Sequence, residues 1–181
     1  MAETSAHRIE MQNLLSRHIP NTDGLSVLDI GSGGDPYSDT CDTFDLPMPY
    51  NGSDPSNLTY KGDASEITKI VEKKYDIVYS SHLLEDFRNT PSVLREWREL
   101  LNPGGIILLL LPHQRRYLYS CKKKGEQPNA MHIHDFSPRF LSEVLDGMGW
   151  INHVVVPFYP PSYDSLEYNF GALITFNGDV Q

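Results

Sequence analysis

The chain has only two cysteines, Cys41 and Cys121. That excludes a disulfide framework, and their wide separation lacks the paired spacing of a zinc site. A reducing interior is the natural setting. No apolar stretch approaches the roughly 20 residues of a membrane span, and residues 1–13 (MAETSAHRIEMQN) carry no apolar signal core. The sequence therefore predicts a cytoplasmic protein with no membrane role. Basic residues are scarce as well. Fifteen Lys plus Arg against 24 Asp plus Glu give a net charge of -9, which opposes attraction to a phosphate backbone and disfavours a nucleic-acid partner. There is no internal repeat and no low-complexity tract to suggest a solenoid or a disordered tail.

What is present describes one soluble domain. The length of 181 residues, with 39% hydrophobic and 22% charged residues, suits a single core and is too apolar for disorder. The oligomeric state, a homo-oligomer included, stays open. The charge is unevenly placed: residues 21–60 contain seven Asp and no Lys or Arg, whereas residues 115–124 contain five basic residues and no acid.

Periodicity gives the order of elements. Residues 1–20 read as a leading helix with Ile9, Leu14 and Leu15 apolar, stopping at Pro20. Strands are predicted at 26–30 (SVLDI), 40–46, 58–61, 75–80 (YDIVYS) and 106–111 (IILLLL), and helices at 65–73 and from Thr90, the latter ended by residues 102–105 (NPGG). A last helix begins at Ser137–Pro138, and two closing strands follow at 151–156 and 171–176. Such alternation predicts an α/β fold with a doubly wound, mostly parallel sheet and an antiparallel C-terminal edge hairpin. Two long connections, 32–61 and 113–136, read as irregular.

Ligands of such sheets bind beyond the carboxyl ends of the strands, where Asp29 and the turn Gly31–Ser32–Gly33–Gly34 fall. A dinucleotide fingerprint is disfavoured because its third glycine would be Pro36. Taken in order, VLDIGSGG (27–34), FDL (44–46), GDA (62–64), YDIVYSSHLLEDF (75–87) and LREWRELLNPGGIILLLLP (94–112) resemble the class I S-adenosylmethionine-dependent methyltransferases. The match is to their small-molecule, type 11-like branch and covers residues 25 to 150.

The resemblance implies a Rossmann-like domain with S-adenosyl-L-methionine as cofactor. Gly31 and Gly33 would lie under its methionine part, Asp29 near its ammonium group and Asp45 on the ribose hydroxyls. Asp63 and Ala64 would contact the adenine, and Ser80 and His82 would close over the sulfonium side. Two departures stand out. Asp35 replaces a further glycine, and only ten residues separate Gly34 from Asp45, so the first crossover helix is expected to be reduced to a turn and the ribose role to fall on Asp45 or Asp42. Asp63 with Glu66 also reads as a capping box of the following helix.

Methyl transfer to a hydroxyl requires a base near the ends of the fourth and fifth strands, where His82 and His113 stand. Residues 113–136 read as an insertion on the acceptor side, with Arg115, Arg116, Tyr117, His132 and His134 as candidates to hold the acceptor. Residues 131–135 (MHIHD) carry ligand-type side chains, yet the sequence predicts no metal site. The expected activity is O-methylation of a small hydroxylated acceptor such as a sugar or glycoconjugate. Two alternatives stay open: a nucleic-acid methyltransferase using the basic stretch 115–124, and a non-catalytic subunit built on the same fold.

Overall fold

The computed structural model describes residues 3–48, 54–162 and 165–176. Seven strands form one sheet in the order β3-β2-β1-β4-β5-β7-β6. They are β1 (Val27–Ile30), β2 (Asp42–Asp45), β3 (Tyr60–Lys61), β4 (Tyr75–Ser81), β5 (Leu101–Pro112), β6 (His153–Pro157) and β7 (Asn169–Thr175). Strands β1 to β5 run parallel and β7 is antiparallel to both β5 and β6, as the alternation of elements predicts.

The run 106–111 is buried throughout because each face of the sheet is covered. Ile107, Leu109 and Leu111 pack with Leu28, Ile30, Val78 and Trp97 on one side. Ile106, Leu108 and Leu110 pack with Ile77, Tyr79 and the helix α1 (Glu3–Ser16) on the other. A two-residue period in a fully buried strand shows as a continuous apolar run, since either face is core. In α1 the buried apolar residues are Met11, Leu14 and Leu15, whereas Ile9 is exposed, so the predicted apolar face is turned by part of a helical turn.

Helix α2 (Thr90–Arg98) is capped by Asn89, whose side chain accepts from the Ser92 amide, and buries Val93, Leu94 and Trp97. It stops before residues 102–105, which lie inside β5 instead. There the register jumps from Tyr75↔Leu101 to Ile77↔Ile106, and Pro103 and the glycines make an irregular strand entry. The segment expected as a helix at 65–73 is a short 3-10 turn, Ala64–Lys69, capped by Asp63.

The connection at 113–136 is not irregular throughout. It opens with helix α3 (Gln114–Lys124), ended by Gly125 in the left-handed conformation at φ 71°. Its polar composition hides the helix from a hydrophobic pattern, since only Arg116, Ser120 and Cys121 are buried. Helix α4 (Pro138–Gly147), capped by Ser137, leads into β6. No helix among the described residues is long and apolar enough to cross a membrane.

Candidate functional site

The carboxyl ends of β1, β2, β4 and β5 lie along one edge of the sheet, and the glycine turn begins there. Gly31, Gly33 and Gly34 have φ of 79°, 55° and 81°, which side chains with a Cβ rarely adopt. At Gly31 there is a second reason for glycine, because a Cβ would come within 2.7 Å of Leu83 Cδ2. The turn after β1 and the turn after β4 are thus in backbone-to-side-chain contact. Among the described residues no helix connects β1 to β2, as the short spacing predicts. Asp35 instead accepts from the Ser5 amide and hydroxyl, so α1 holds the turn where a crossover helix otherwise would.

Two carboxylates border this turn. Asp29 is fully buried, and its Oδ2 accepts the Tyr37 amide at 2.7 Å. Its Oδ1 is also buried and has no hydrogen-bond partner. Burial drives the carboxyl up to about 8; the Tyr37 amide opposes this, and Asp35 and Asp45 add to it. Asp45 ends β2 and accepts the Gly33 amide at 2.9 Å and its neighbour Leu46 at 2.7 Å. Asp42, the other candidate for the ribose, sits at the opposite end of β2 and accepts from Lys73 and the Tyr75 hydroxyl. Asp63 caps the following turn through the Ser65 amide and hydroxyl, and Ala64 is buried with its carbonyl accepting from Trp97. Ser80 is buried and donates to the Ile30 carbonyl at 2.8 Å, so its hydroxyl ties β4 to β1.

At the end of β4, His82 holds φ 51°, an uncommon conformation for a residue with a Cβ and one that tends to mark functional turns. Its Nε2 lies 2.8 Å from Asn169 Oδ1, and its Nδ1 lies 3.6 Å from Glu85 Oε1. Glu85 is fully buried and is also reached by His132 Nε2 at 3.5 Å. The loop carrying His132 is held there by three bonds. The Ile133 amide donates to the Glu85 carbonyl, His134 Nε2 donates to the Phe87 carbonyl at 2.6 Å, and His132 Nδ1 meets Gln114 Oε1 at 3.2 Å. Burial pushes the His132 imidazole down to about 4, with His82 adding to the shift. The Glu85 carboxylate alone would favour the charged ring, so desolvation decides and the ring is neutral at neutral pH.

The remaining sequence candidates separate. His113 precedes α3, with its amide bonded to the Tyr168 carbonyl and its ring edge-on to Tyr159 at 5.6 Å. Burial lowers its pKa. Tyr117 packs against His132 with ring centroids 4.8 Å apart and the planes tilted by 39°, and it accepts the Asn129 amide. Arg116 is buried, donates to the carbonyls of Pro160, Pro161 and Ser162, and covers the Tyr159 ring at 4.1 Å. Arg115 is exposed and lies 3.4 Å from Asp135. Sequence reasoning passed over Glu85, Gln114 and Asn169; the three-residue spacing of His82 and Glu85 was the one local signal, and the other two are brought in by tertiary structure. A separate cavity of about 290 Å³ beside His18, His153 and Thr175 opens at the amino-terminal end of the parallel strands, away from these groups.

A parallel sheet of this order, closed by an antiparallel β7 and carrying an acidic residue with a glycine turn after β1, defines a class I methyltransferase-type domain. A family model described as a methyltransferase domain matches residues 5–153, and the chain belongs to that family. The expectation of an S-adenosylmethionine-dependent methyltransferase is thereby borne out. Among solved structures, the plantazolicin methyltransferase BamL, in complex with a triazolic desmethylPZN analog and SAH, is 16% identical with a TM-score of 0.68. It covers 97% of this chain and 87% of its own. A SAM-dependent methyltransferase from Archaeoglobus fulgidus is 16% identical with a TM-score of 0.63 over 93% and 94%. A complex between the Haloferax volcanii Trm112 methyltransferase activator and a putative methyltransferase gives 14% identity and a TM-score of 0.58 over 97% and 98%. At these identities the likeness speaks for the fold. No curated protein matches the chain by sequence.

The residues present suit the cofactor. A buried, unsatisfied carboxylate oxygen on Asp29 is a fit for an ammonium group, the open space beside Gly33 allows close approach to the backbone, and the Asp45 carboxylate can accept from a diol.

Proposed function

We propose that the protein transfers the methyl group of S-adenosylmethionine to a hydroxyl oxygen of a small acceptor, such as a sugar or glycoconjugate, held beside residues 113–136. The observation that carries this reading is that β4 and β5 end on imidazoles, His82 and His113, with the loop bearing His132 docked on the turn after β4 and the His113 pKa lowered by burial. A hydroxyl, unlike a thioether, must give up a proton as it is methylated, and a neutral imidazole can take it.

In this reading Asp29 orients the ammonium end of the cofactor, Asp45 holds its ribose, and Asp63 and Ala64 border its adenine. The cofactor supplies an electrophilic methyl carbon on a sulfonium. His113 accepts the acceptor's proton, with His82 as the other candidate. The oxygen–carbon bond forms as the carbon–sulfur bond breaks, and the electron pair stays on sulfur as a neutral thioether. Arg115, Tyr117 and His134 would line the acceptor side. Arg116 was also a sequence candidate for the acceptor, but its bonds to carbonyls 160–162 favour a role in shaping the wall instead.

The same bonds weigh against the nucleic-acid alternative. With Arg116 buried and Arg115 near Asp135, the basic stretch offers chiefly Lys122, Lys123 and Lys124 at the end of α3, on a chain of net charge -9. The test is transfer of a radiolabelled methyl group to a panel of sugars and glycosides, amines, and RNA or DNA. Label on a hydroxylated small molecule is the expected result, and label confined to nucleic acid or to an amine would overturn the reading.

A further inference from the structure

We propose that His82, Glu85 and His132 form a binding site for a divalent transition metal of the zinc type. The three side chains converge from two separate segments, the turn after β4 and the loop after α3. One ligand atom from each lies within 4.8 Å of the others. Two imidazoles and one carboxylate make a set that divalent transition metals favour. Three protein ligands with a further position left over is the pattern of catalytic rather than structural zinc.

Two of the three separations suit a shared ion. Ligand nitrogens and oxygens at about 2.0–2.2 Å from a tetrahedral zinc stand about 3.4 Å apart. Glu85 Oε1 is 3.6 Å from His82 Nδ1 and 3.5 Å from His132 Nε2. Both separations are too long for a direct hydrogen bond and close to what a shared ion requires. Glu85 itself is fully buried, so its attraction for a cation is little weakened by water.

The second nitrogen of each ring points the same way. His82 Nε2 faces Asn169 Oδ1 at 2.8 Å and His132 Nδ1 faces Gln114 Oε1 at 3.2 Å. An amide oxygen only accepts, so each ring donates a proton there. In a neutral ring that leaves the lone pair on the nitrogen facing Glu85. Such outward bonds fix the tautomer and orient the ring of metal-ligating histidines. Two lone pairs aimed at one carboxylate repel in the absence of a cation and become ligands in its presence. His82 is held in place by its φ of 51°, and the His132 loop is pinned through Ile133 and His134, so the trio is already assembled.

An ion there would offer its remaining position to an oxygen ligand and would lower the pKa of a bound hydroxyl. That role rests on the acceptor reading above, whereas ion binding does not. A chain that binds zinc yet labels only amines would overturn the acceptor reading and leave the site standing.

The test uses the full chain, stripped with a chelator and titrated with zinc alone, then with cobalt as a spectroscopic probe. One zinc per chain at micromolar affinity or tighter is expected, with a visible cobalt absorption of imidazole-coordinated character. Glu85→Gln and His132→Gln should each weaken zinc by about 100-fold or more and abolish the cobalt band. Gln114→Ala, which leaves all three ligands, should weaken zinc by about 10–100-fold. His153→Gln, in β6, should behave as the parent. Circular dichroism of each metal-free variant establishes that it is folded, and Gln114→Ala carries the test if a ligand variant is not. A folded parent that takes up less than stoichiometric zinc, or equal binding by the parent and all three site variants, would overturn the proposal.

Discussion

The Gly33 amide donates to Asp45 Oδ2 at 2.9 Å, tying the glycine turn after β1 to the carboxylate that ends β2. One carboxylate thus shapes the turn and stands where the resemblance places the ribose. Asp45→Asn keeps an acceptor for Gly33 but removes the charge. Hydrogen bonds to charged groups contribute about 1.5–3 kcal/mol, so a loss of about 10- to 100-fold in S-adenosylmethionine affinity is expected by calorimetry. Unchanged affinity would remove Asp45 from the ribose site.

Asp29 makes stability fall with rising pH. Its carboxyl holds a proton up to about pH 8 when folded but releases it near 3.8 in the unfolded chain. Between those values the folded state binds more protons, so the contribution is fully present below 3.8 and is lost as pH rises through 8. Asp29→Asn has no proton to lose, and its melting temperature should decline less than that of the parent across this window. The same linkage applies to the cofactor. An ammonium beside Asp29 favours the carboxylate, so S-adenosylmethionine binding near neutral pH should release a proton, seen as different heats in buffers of different ionisation enthalpy. Buffer-independent heats would refute that contact.

His113→Gln separates catalysis from binding. General-base removal lowers rates by about 10²- to 10⁴-fold, and the expected result is such a drop in turnover with cofactor affinity intact. For the parent, the rate should rise with pH through a value below the 6.5 of a free imidazole, because burial lowers the His113 pKa. Full turnover in the variant would remove His113 from the role of base.

Arg116→Lys preserves charge and gives up the fork that reaches three carbonyls. A loss of about 1–3 kcal/mol in denaturant unfolding is expected, with retention on a polyanion column unchanged. Weakened retention without destabilisation would restore Arg116 to the role of an anion ligand.

The architecture was legible because its signals are local. Alternation of apolar runs and capped helices marks a parallel sheet, and the ten residues between Gly34 and Asp45 leave no room for a crossover helix. Where local pattern and structure part, the reason is also local. Helix α3 buries so little apolar surface that its polar sequence reads as loop, and residues 102–105 break a helix equally well whether they end it or open a bulged strand.

The sequence by itself determined the sheet, the glycine turn and the acidic residues Asp29 and Asp45 at its edge, because strand ends and turns follow from residues adjacent in the chain. Only the tertiary structure decided which histidines matter to one another. His82 and His132 are fifty residues apart, and it is the docking of the loop after α3 on the turn after β4, through Ile133 and His134, that sets both rings against a buried Glu85. It likewise turned Arg116 inward. Such pairings depend on packing between segments that no periodicity records, and here they separate Arg116, bonded to carbonyls 160–162, from its exposed neighbour Arg115.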